Sequence, residues 1–455
     1  MEEKLMENTK KSFPFGFWVC CLSFSFERLA YYAFKWGLAI FIAAEAANGG
    51  LGLDKSVGAA MSSNLVAFTY ITPIIGGYIA DRYVSPRILV PIGEILMGCS
   101  YLIAWKATGV GSLWATVILC AIGTGFFKGN VSGINGRLFP LADADFLDSV
   151  FNIQYMFVNI GSFCGTTFLS LLAGSKGYRF MFLICGIFLF IDCAWWMFGQ
   201  NSFGEAGKKP FLVDNRTDSA AASEKVEAEP LTPLEKNRVI AILIVTVFSG
   251  IFWLIWYMVY MPIYYQFGPI SEAGYGWANW NIGSFTMPTA WFDSMNALGC
   301  IIMCPIFAGI WAKMKARPQG DWGMFKKTAI GIIILGLSTG AMVVAALLSH
   351  QSADTPCGIW IIIFVAFFMT LGEVIFSPLG NAFINKYAPK KLLGTLLGVW
   401  PLIIFFSGKL YGPLYNWLNN FDFVMAYGIV TAIIIGVGFI MLLFNKEFDD
   451  MVEGK

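Results

Sequence analysis

FPFGFWVCCLSFSFERLAYYAFKWGLAIFI, residues 13–42, is an apolar stretch that carries Glu27, Arg28 and Lys35 in its middle. It is long enough to cross a bilayer as a helix. Counted from Phe24, the residues Glu27, Arg28, Tyr31, Tyr32 and Lys35 follow at spacings of 3, 4, 7, 8 and 11. Those intervals put all six side chains on one side of a helix. A charge at bilayer depth costs about 2.5–3.5 kcal/mol on insertion scales and survives mainly where it lines a polar cavity. The stretch therefore predicts a spanning helix with one wall on a pathway through a membrane.

Composition agrees. The chain of 455 residues is 57% hydrophobic and 13% charged, with a mean hydropathy of +0.66, whereas a soluble chain carries roughly 25% charged residues. It reads as an all-α polytopic membrane protein whose first partner is the lipid bilayer. A net charge of +1 argues against nucleic acid. Residues 1–11 are polar and basic, but the apolar stretch behind them is too long and too charged for a signal peptide, so it reads as a retained first span. The 10 cysteines lie almost entirely in apolar segments with no metal-binding spacing, which predicts packing rather than a metal, and no cofactor.

Further apolar segments begin near residues 57, 88, 112, 149, 179, 238, 288, 326, 357, 392 and 423, giving about twelve spans in all. An even number sets both termini on one side. One set of loops and ends holds Lys4, Lys10, Lys11, Arg82, Arg87, Arg137, Lys313, Lys315, Arg317, Lys326, Lys327, Lys386, Lys390, Lys391 and a basic group between Lys208 and Arg238. The opposite set holds only Lys55, Lys106, Lys176 and Arg179. That excess of roughly five to one places both termini in the cytoplasm. Residues 200–236 are rich in Ser, Ala, Glu, Lys and Pro and read as a flexible cytoplasmic linker. It divides an N-terminal six-helix bundle, 1–199, from a C-terminal one, 237–455. An internal echo supports the division: PIIGGYIADR at 73–82 and PIFAGIWAKM at 305–314 each end the second span of a half. Such repeats frame substrate sites at mid-membrane in many transporters. The triplets Asn130-Val131-Ser132 and Asn215-Arg216-Thr217 lie in a span and in the linker, out of reach of glycosylation.

Few other ionisable groups sit at membrane depth. Glu94 falls in the third span, Lys128 in the fourth, Asp192 in the sixth, Asp293 in the first turns of the eighth, Glu373 in the tenth and Lys409 in the eleventh. They are expected to face the bundle interior and pair with one another. Glu94 and Asp192 have no polar face around them and read as structural charges. Gly372-Glu373 followed by Ser377-Pro378 predicts a kink one turn beyond a buried acid. Gly394, Gly398, Gly408 and Gly412 of the eleventh span predict close helix packing, with Trp400 as an apolar wall.

These motifs together resemble the proton-dependent oligopeptide transporters of the major facilitator superfamily over nearly the whole chain. The first-helix signature reads Phe24-Ser25-Phe26-Glu27-Arg28-Leu29-Ala30-Tyr31-Tyr32, and the loop motif Gly76-Gly77-Tyr78-Ile79-Ala80-Asp81-Arg82. The fourth-span lysine motif runs from Gly123 to Asn130, and the fifth-span signature from Gln154 to Gly161. In the second half, Trp291 to Asn296, Gly372 to Gly380, and Gly398-Val399-Trp400 match the eighth, tenth and eleventh spans. The resemblance implies the major facilitator fold, about twelve transmembrane helices in two six-helix halves. It also implies a monomer in the plasma (inner) membrane that imports di- and tripeptides or similar small amphoteric solutes by alternating access, coupled to protons. On this reading Arg28 and Lys128 receive the peptide carboxylate, while Glu373 and Asn296 receive its amino group. A zwitterion entering a low-dielectric cavity needs opposite charges held apart. Tyr32, Tyr70, Asn159 and Trp400 would wall the site tolerantly.

The departures from the family pattern bear on coupling. Phe24 stands where the signature has its first glutamate, and Tyr257 where the seventh span should carry an acid. Neither titrates near neutral pH. Lys35, the usual gate partner of that acid, has lost it. Asp293 and Lys409 stand where the family has glutamine and asparagine, and are expected to form a replacement charge pair. Glu27 and Asp293 are left as the proton-coupling candidates, Glu27 through its attraction to Arg28 and Lys128. The competing readings are an uncoupled facilitator or exchanger of another small organic ion, and a non-transporting membrane receptor. No enzyme is expected: the only histidine, His350, falls in an outer loop, and no nucleophile–base pair is visible.

Overall fold

In the computed structural model, residues 13–139, 144–213, 230–376 and 380–454 are described. The first half contributes the helices Phe15–Ala43, Lys55–Arg82, Pro86–Trp105, Val110–Arg137, Ala144–Cys164 and Tyr178–Gly199. The second contributes Pro233–Tyr265, Ala290–Lys315, Met324–Leu348, Ile359–Phe376, Leu393–Leu418 and Phe423–Leu443. Among the described residues, 11 helices are long and apolar enough to cross a membrane by composition alone. Phe15–Ala43, with its three charges, is the first span. Helices satisfy their own backbone groups, as a lipid solvent demands, and they start where the apolar segments predict.

Local chemistry sets several boundaries. Thr232 caps the seventh span, its hydroxyl accepting from the Glu235 backbone N–H while Glu235 reaches back, with a proline at the first turn, a capping box. Asp422 caps the twelfth by accepting from the Met425 N–H at 2.9 Å. The fifth span passes through a π-helical turn, Gly165–Leu169, before it resumes as Ser170–Lys176. Two short strand pairs escaped the sequence reading. Ala278–Asn279 pairs in parallel with Cys357–Gly358, and Asn281–Ile282 forms a hairpin with Phe285–Thr286. Segments of two residues carry no alternation to read.

Two compact units emerge, one of residues 1–41, 49–51 and 68–222, the other of 42–48, 52–67 and 223–455. In the first, glycines let backbones meet. A Cβ on Gly161 or Gly165 would fall 2.3 Å or 2.1 Å from the Ser25 or Leu29 carbonyl oxygen. Ser25 ties the same faces by donating to the Phe157 carbonyl at 2.8 Å. Gly76 meets Gly125, and Gly93 meets Gly123, in the same manner. Phe34, Tyr101 and Phe182 fill the interior.

The second unit takes the first part of the second span, against the sequence division at residue 199. Ser63 donates to the Gly408 carbonyl at 2.6 Å, and a Cβ on Gly412 would lie 2.6 Å from the Ala59 oxygen. Gly408 and Gly412 of the eleventh span therefore serve close packing, as expected, whereas a Cβ on Gly398 would meet nothing within 4 Å. The linker also differs. Residues 200–213, expected to be flexible, are built onto the first unit. Arg87 donates to the Ala206 and Gly204 carbonyls, both at 2.8 Å, the Phe211 N–H to Ala80 at 3.1 Å, and Arg137 covers the Phe211 ring at 3.8 Å. Residues 214–229 and the predicted kink at Ser377-Pro378 lie outside the described residues. All ten cysteines are free.

Candidate functional site

The first unit concentrates its charge on the helix face that opens the chain. Glu27, Arg28 and Lys35 are all buried. Arg28 pairs with its own neighbour: Nε and Nη2 both donate to the Glu27 carboxylate, the second at 2.6 Å. The guanidinium also lies 4.6 Å from the Tyr31 ring centre and 5.8 Å from that of Tyr32, close enough for cation–π attraction. Tyr31 is fixed by a 3.2 Å hydrogen bond with the Thr69 hydroxyl. Lys35 Nζ stands 5.4 Å from the Tyr32 ring.

Lys128, half-buried in the fourth span, lies with Nζ 4.5 Å from the centre of the Tyr70 ring. Among the described residues no carboxylate forms an ion pair with it. The adjacent guanidinium occupies both Glu27 oxygens, while Lys128 stays within electrostatic reach of Glu27 and rests on an aromatic face. Phe24 packs edge-on against Phe127 at 5.4 Å, an apolar contact in the place of an acid. Asn159 donates to the Tyr155 carbonyl one turn back, at 2.9 Å.

The second unit gathers the other set. Asn296 Nδ2 donates to Glu373 Oε2 at 2.9 Å and to Thr370 Oγ1 at 3.1 Å. The acid is buried, and the eighth and tenth spans thus present it jointly with an amide. Asp293 accepts from the Tyr264 hydroxyl at 2.6 Å. Lys409 donates to the Asn64 side-chain oxygen. Tyr257 stacks on Tyr411, centroids 5.6 Å apart at 25°. Trp400 stands 6.5 Å from Phe376 and over Gly380, where a Cβ would come within 2.3 Å of its ring.

Tyr264, Tyr411 and Asn64 escaped the sequence reading as participants. Tyr257, Tyr260 and Tyr264 fall at intervals of 3 and 4, one helix face, so a signal for Tyr264 was there. For Asn64, whose partner lies 345 residues away, there was none.

Outside the spans, Glu272 accepts from the Thr289 N–H at 3.1 Å and from its hydroxyl at 2.6 Å. Thr289 is the residue before the eighth span. Burial pushes the Glu272 carboxyl up to about 7, against those two hydrogen bonds, which favour the ionised form.

Comparison with known proteins places this arrangement in context. An uncharacterised transporter of Bacillus subtilis, YclF, is 25% identical over 97% of this chain and 95% of its own. A di-/tripeptide transporter of Lactococcus lactis subsp. cremoris is 24% identical over 97% of both chains. Among solved structures, the peptide transporter POT in complex with alafosfalin superimposes with a TM-score of 0.83 at 24% identity, over 96% of each chain. A POT family transporter in complex with 5-aminolevulinic acid gives a TM-score of 0.84 at 21% identity, over 96% of this chain and 98% of that one. The model of the Major Facilitator Superfamily matches residues 28–408. Spanning most of the chain and joined to this helical architecture, that match shows that the protein belongs to the Major Facilitator Superfamily of membrane transporters.

Proposed function

We propose that this transporter imports di- and tripeptides, or small amphoteric solutes of the same kind, by alternating access and with proton coupling. The observation that carries the reading is the charge set each unit holds by itself: Arg28 and Lys128 in one, and the Asn296–Glu373 pair in the other. A peptide zwitterion brings one carboxylate and one ammonium, and each needs a desolvated counter-charge. Arg28 and Lys128 are assigned the carboxylate, Glu373 and Asn296 the amino group. Tyr32, Tyr70, Asn159 and Trp400 supply walls indifferent to side-chain identity. Protons enter the reading through Glu27, whose neutralisation would release Arg28, and through Asp293. Lys35 and Tyr257 are assigned to gating, and Lys409 to a charge pair with Asp293. The protein is read as a monomer in the plasma membrane with both termini in the cytoplasm, the side favoured by the loop lysines and arginines.

A thermal-shift screen of the purified protein tests the substrate class, because a ligand of the folded state raises its melting temperature. Dipeptides and tripeptides are expected to stabilise the protein, and single amino acids and nucleosides to leave it unmoved. Stabilisation by nucleosides alone would remove the peptide reading. A second reading, an uncoupled facilitator, draws on two apolar or aromatic contacts, Phe24 on Phe127 and Tyr257 on Tyr411. It is separated from the first by whether a proton gradient drives accumulation.

A further inference from the structure

Two acids inside the first unit take no part in the peptide chemistry assigned above. Glu94 of the third span and Asp192 of the sixth are both 0% exposed; among the described residues none of their four oxygens makes a hydrogen bond of ordinary geometry, and the two carboxyls lie within reach of each other. Their helices are locked together: Gly98 abuts the Phe190 ring, and Gly186 the Gly98 carbonyl. Neither side chain can withdraw to water. Ser23, also 0% exposed, lies beside Asp192 with its hydroxyl within reach of the carboxyl. Ser23 is one turn before Glu27 on the same helix face, and Glu27 is within electrostatic reach of both acids.

The other ionisable groups nearby are committed elsewhere. Cys193 lies beside Glu94 and points its thiol at the Pro91 carbonyl, 3.9 Å away. On the fourth span, Cys120 meets the Tyr101 hydroxyl at 3.8 Å, and Lys128 rests on Tyr70. Arg28 is held by Glu27, and Arg87 by the carbonyls of residues 204 and 206. Among the described residues no lysine or arginine forms an ion pair with Glu94 or Asp192.

An ionised carboxylate buried without cation or donor is costly, and a second beside it adds repulsion. For packing alone, apolar residues of similar volume would do as well or better. We infer that Glu94, Asp192 and Ser23 form a proton-carrying site, reached from the Glu27 face through the Ser23 hydroxyl. The carboxyl pair alternates between one shared proton, with net charge −1, and two protons, with net charge 0. Uptake of H⁺ is the whole of the step, and no other bond changes. The site stands in for the acids replaced by Phe24 and Tyr257, and it rests on the proton-driven reading proposed above.

The test uses the full chain in proteoliposomes with radiolabelled Ala-Ala, as wild type, Glu94→Gln and Asp192→Asn. Two quantities are read: accumulation under an inward proton gradient, and counterflow exchange at equal pH. The wild type tests the transport reading by itself, since failure to accumulate strikes that reading before any variant is considered. If the wild type accumulates, each variant is expected to lose about tenfold in gradient-driven accumulation and to keep counterflow within about twofold. Variants that accumulate like the wild type, or that lose both activities in parallel, overturn the site. If either variant fails to fold, infrared spectra of the wild type with isotope-labelled aspartate decide: a protonated-aspartate carbonyl band at neutral pH supports the site, and its absence overturns it. Accumulation driven by a sodium gradient at equal pH would assign the pair to sodium and overturn the proton.

Discussion

Glu27 and Arg28, neighbours in sequence, form a two-point ion pair inside the first span, with Arg28 Nη2 2.6 Å from Glu27 Oε1. On the proposed reading, a guanidinium gripped in this way reaches a substrate carboxylate only once Glu27 is neutralised. Breaking one side of a buried pair costs about 3–5 kcal/mol, because the other charge is left uncompensated. Glu27→Gln should therefore lower the melting temperature and abolish gradient-driven accumulation, while peptide binding at equilibrium survives through the released Arg28. Calorimetry on the same variant checks both. Loss of binding together with transport would remove Glu27 from the coupling role.

Glu373 is held by the Asn296 amide at 2.9 Å. If this pair receives the amino group, Glu373→Gln should weaken a free dipeptide by about 1.5–3 kcal/mol, the worth of a hydrogen bond to a charged group. The affinity of the N-acetylated dipeptide should not change. Titration calorimetry with both ligands separates the cases, and an equal loss for each would show that Glu373 acts only on packing.

Lys128 meets Tyr70 through the ring face, so its ammonium is positioned without an acid. Lys128→Ala should raise the Kd for a dipeptide by about tenfold or more and leave the C-terminally amidated peptide almost unaffected. Lys128→Arg should recover part of the difference, since charge persists while the geometry changes. An amidated peptide that suffers equally would contradict the carboxylate assignment.

Asp293 accepts from Tyr264, and Lys409 donates to Asn64. As complementary gating charges, they should tolerate exchange better than loss. Asp293→Asn and Lys409→Met are each expected to cut uptake about tenfold. The swap Asp293→Lys with Lys409→Asp should return it to within about threefold of wild type. A swap as damaged as the single changes ends the pairing idea.

Glu272 ties a carboxyl of the loop between the seventh and eighth spans to Thr289, where the eighth span begins. Its carboxyl is raised from 4.5 to about 7, so the folded state binds this proton more tightly than the unfolded chain. Its contribution is therefore neutral below the lower value and turns unfavourable as pH rises through that window. Melting temperature should fall from this group between about pH 4.5 and 7, and Glu272→Gln should flatten that slope. An unchanged pH profile in the variant would place the carboxyl in open solvent.

The fold was legible because lipid imposes a length and a polarity on every span. The charged face of residues 24–35 was legible because three charges in an apolar helix have so few uses. Pairings were not. Periodicity placed Glu27 near Arg28 but gave no sign that Lys128 would turn to Tyr70, since a ring and a carboxylate both satisfy an ammonium. Glu94 and Asp192 lie 98 residues apart with nothing polar beside them in sequence, so their isolation became visible only with both side chains in place. The anchoring of residues 200–213 was hidden for a related reason: a polar, glycine-containing segment reads as flexible unless the arginine that holds it, here Arg87, is known to face it.

Proton-driven peptide import is decided by uptake of radiolabelled Ala-Ala into proteoliposomes with and without an inward proton gradient at fixed external pH. Accumulation above the external concentration is expected with the gradient, and only equilibration when it is collapsed. Uptake that reaches the same level in both conditions would contradict it and leave an uncoupled facilitator.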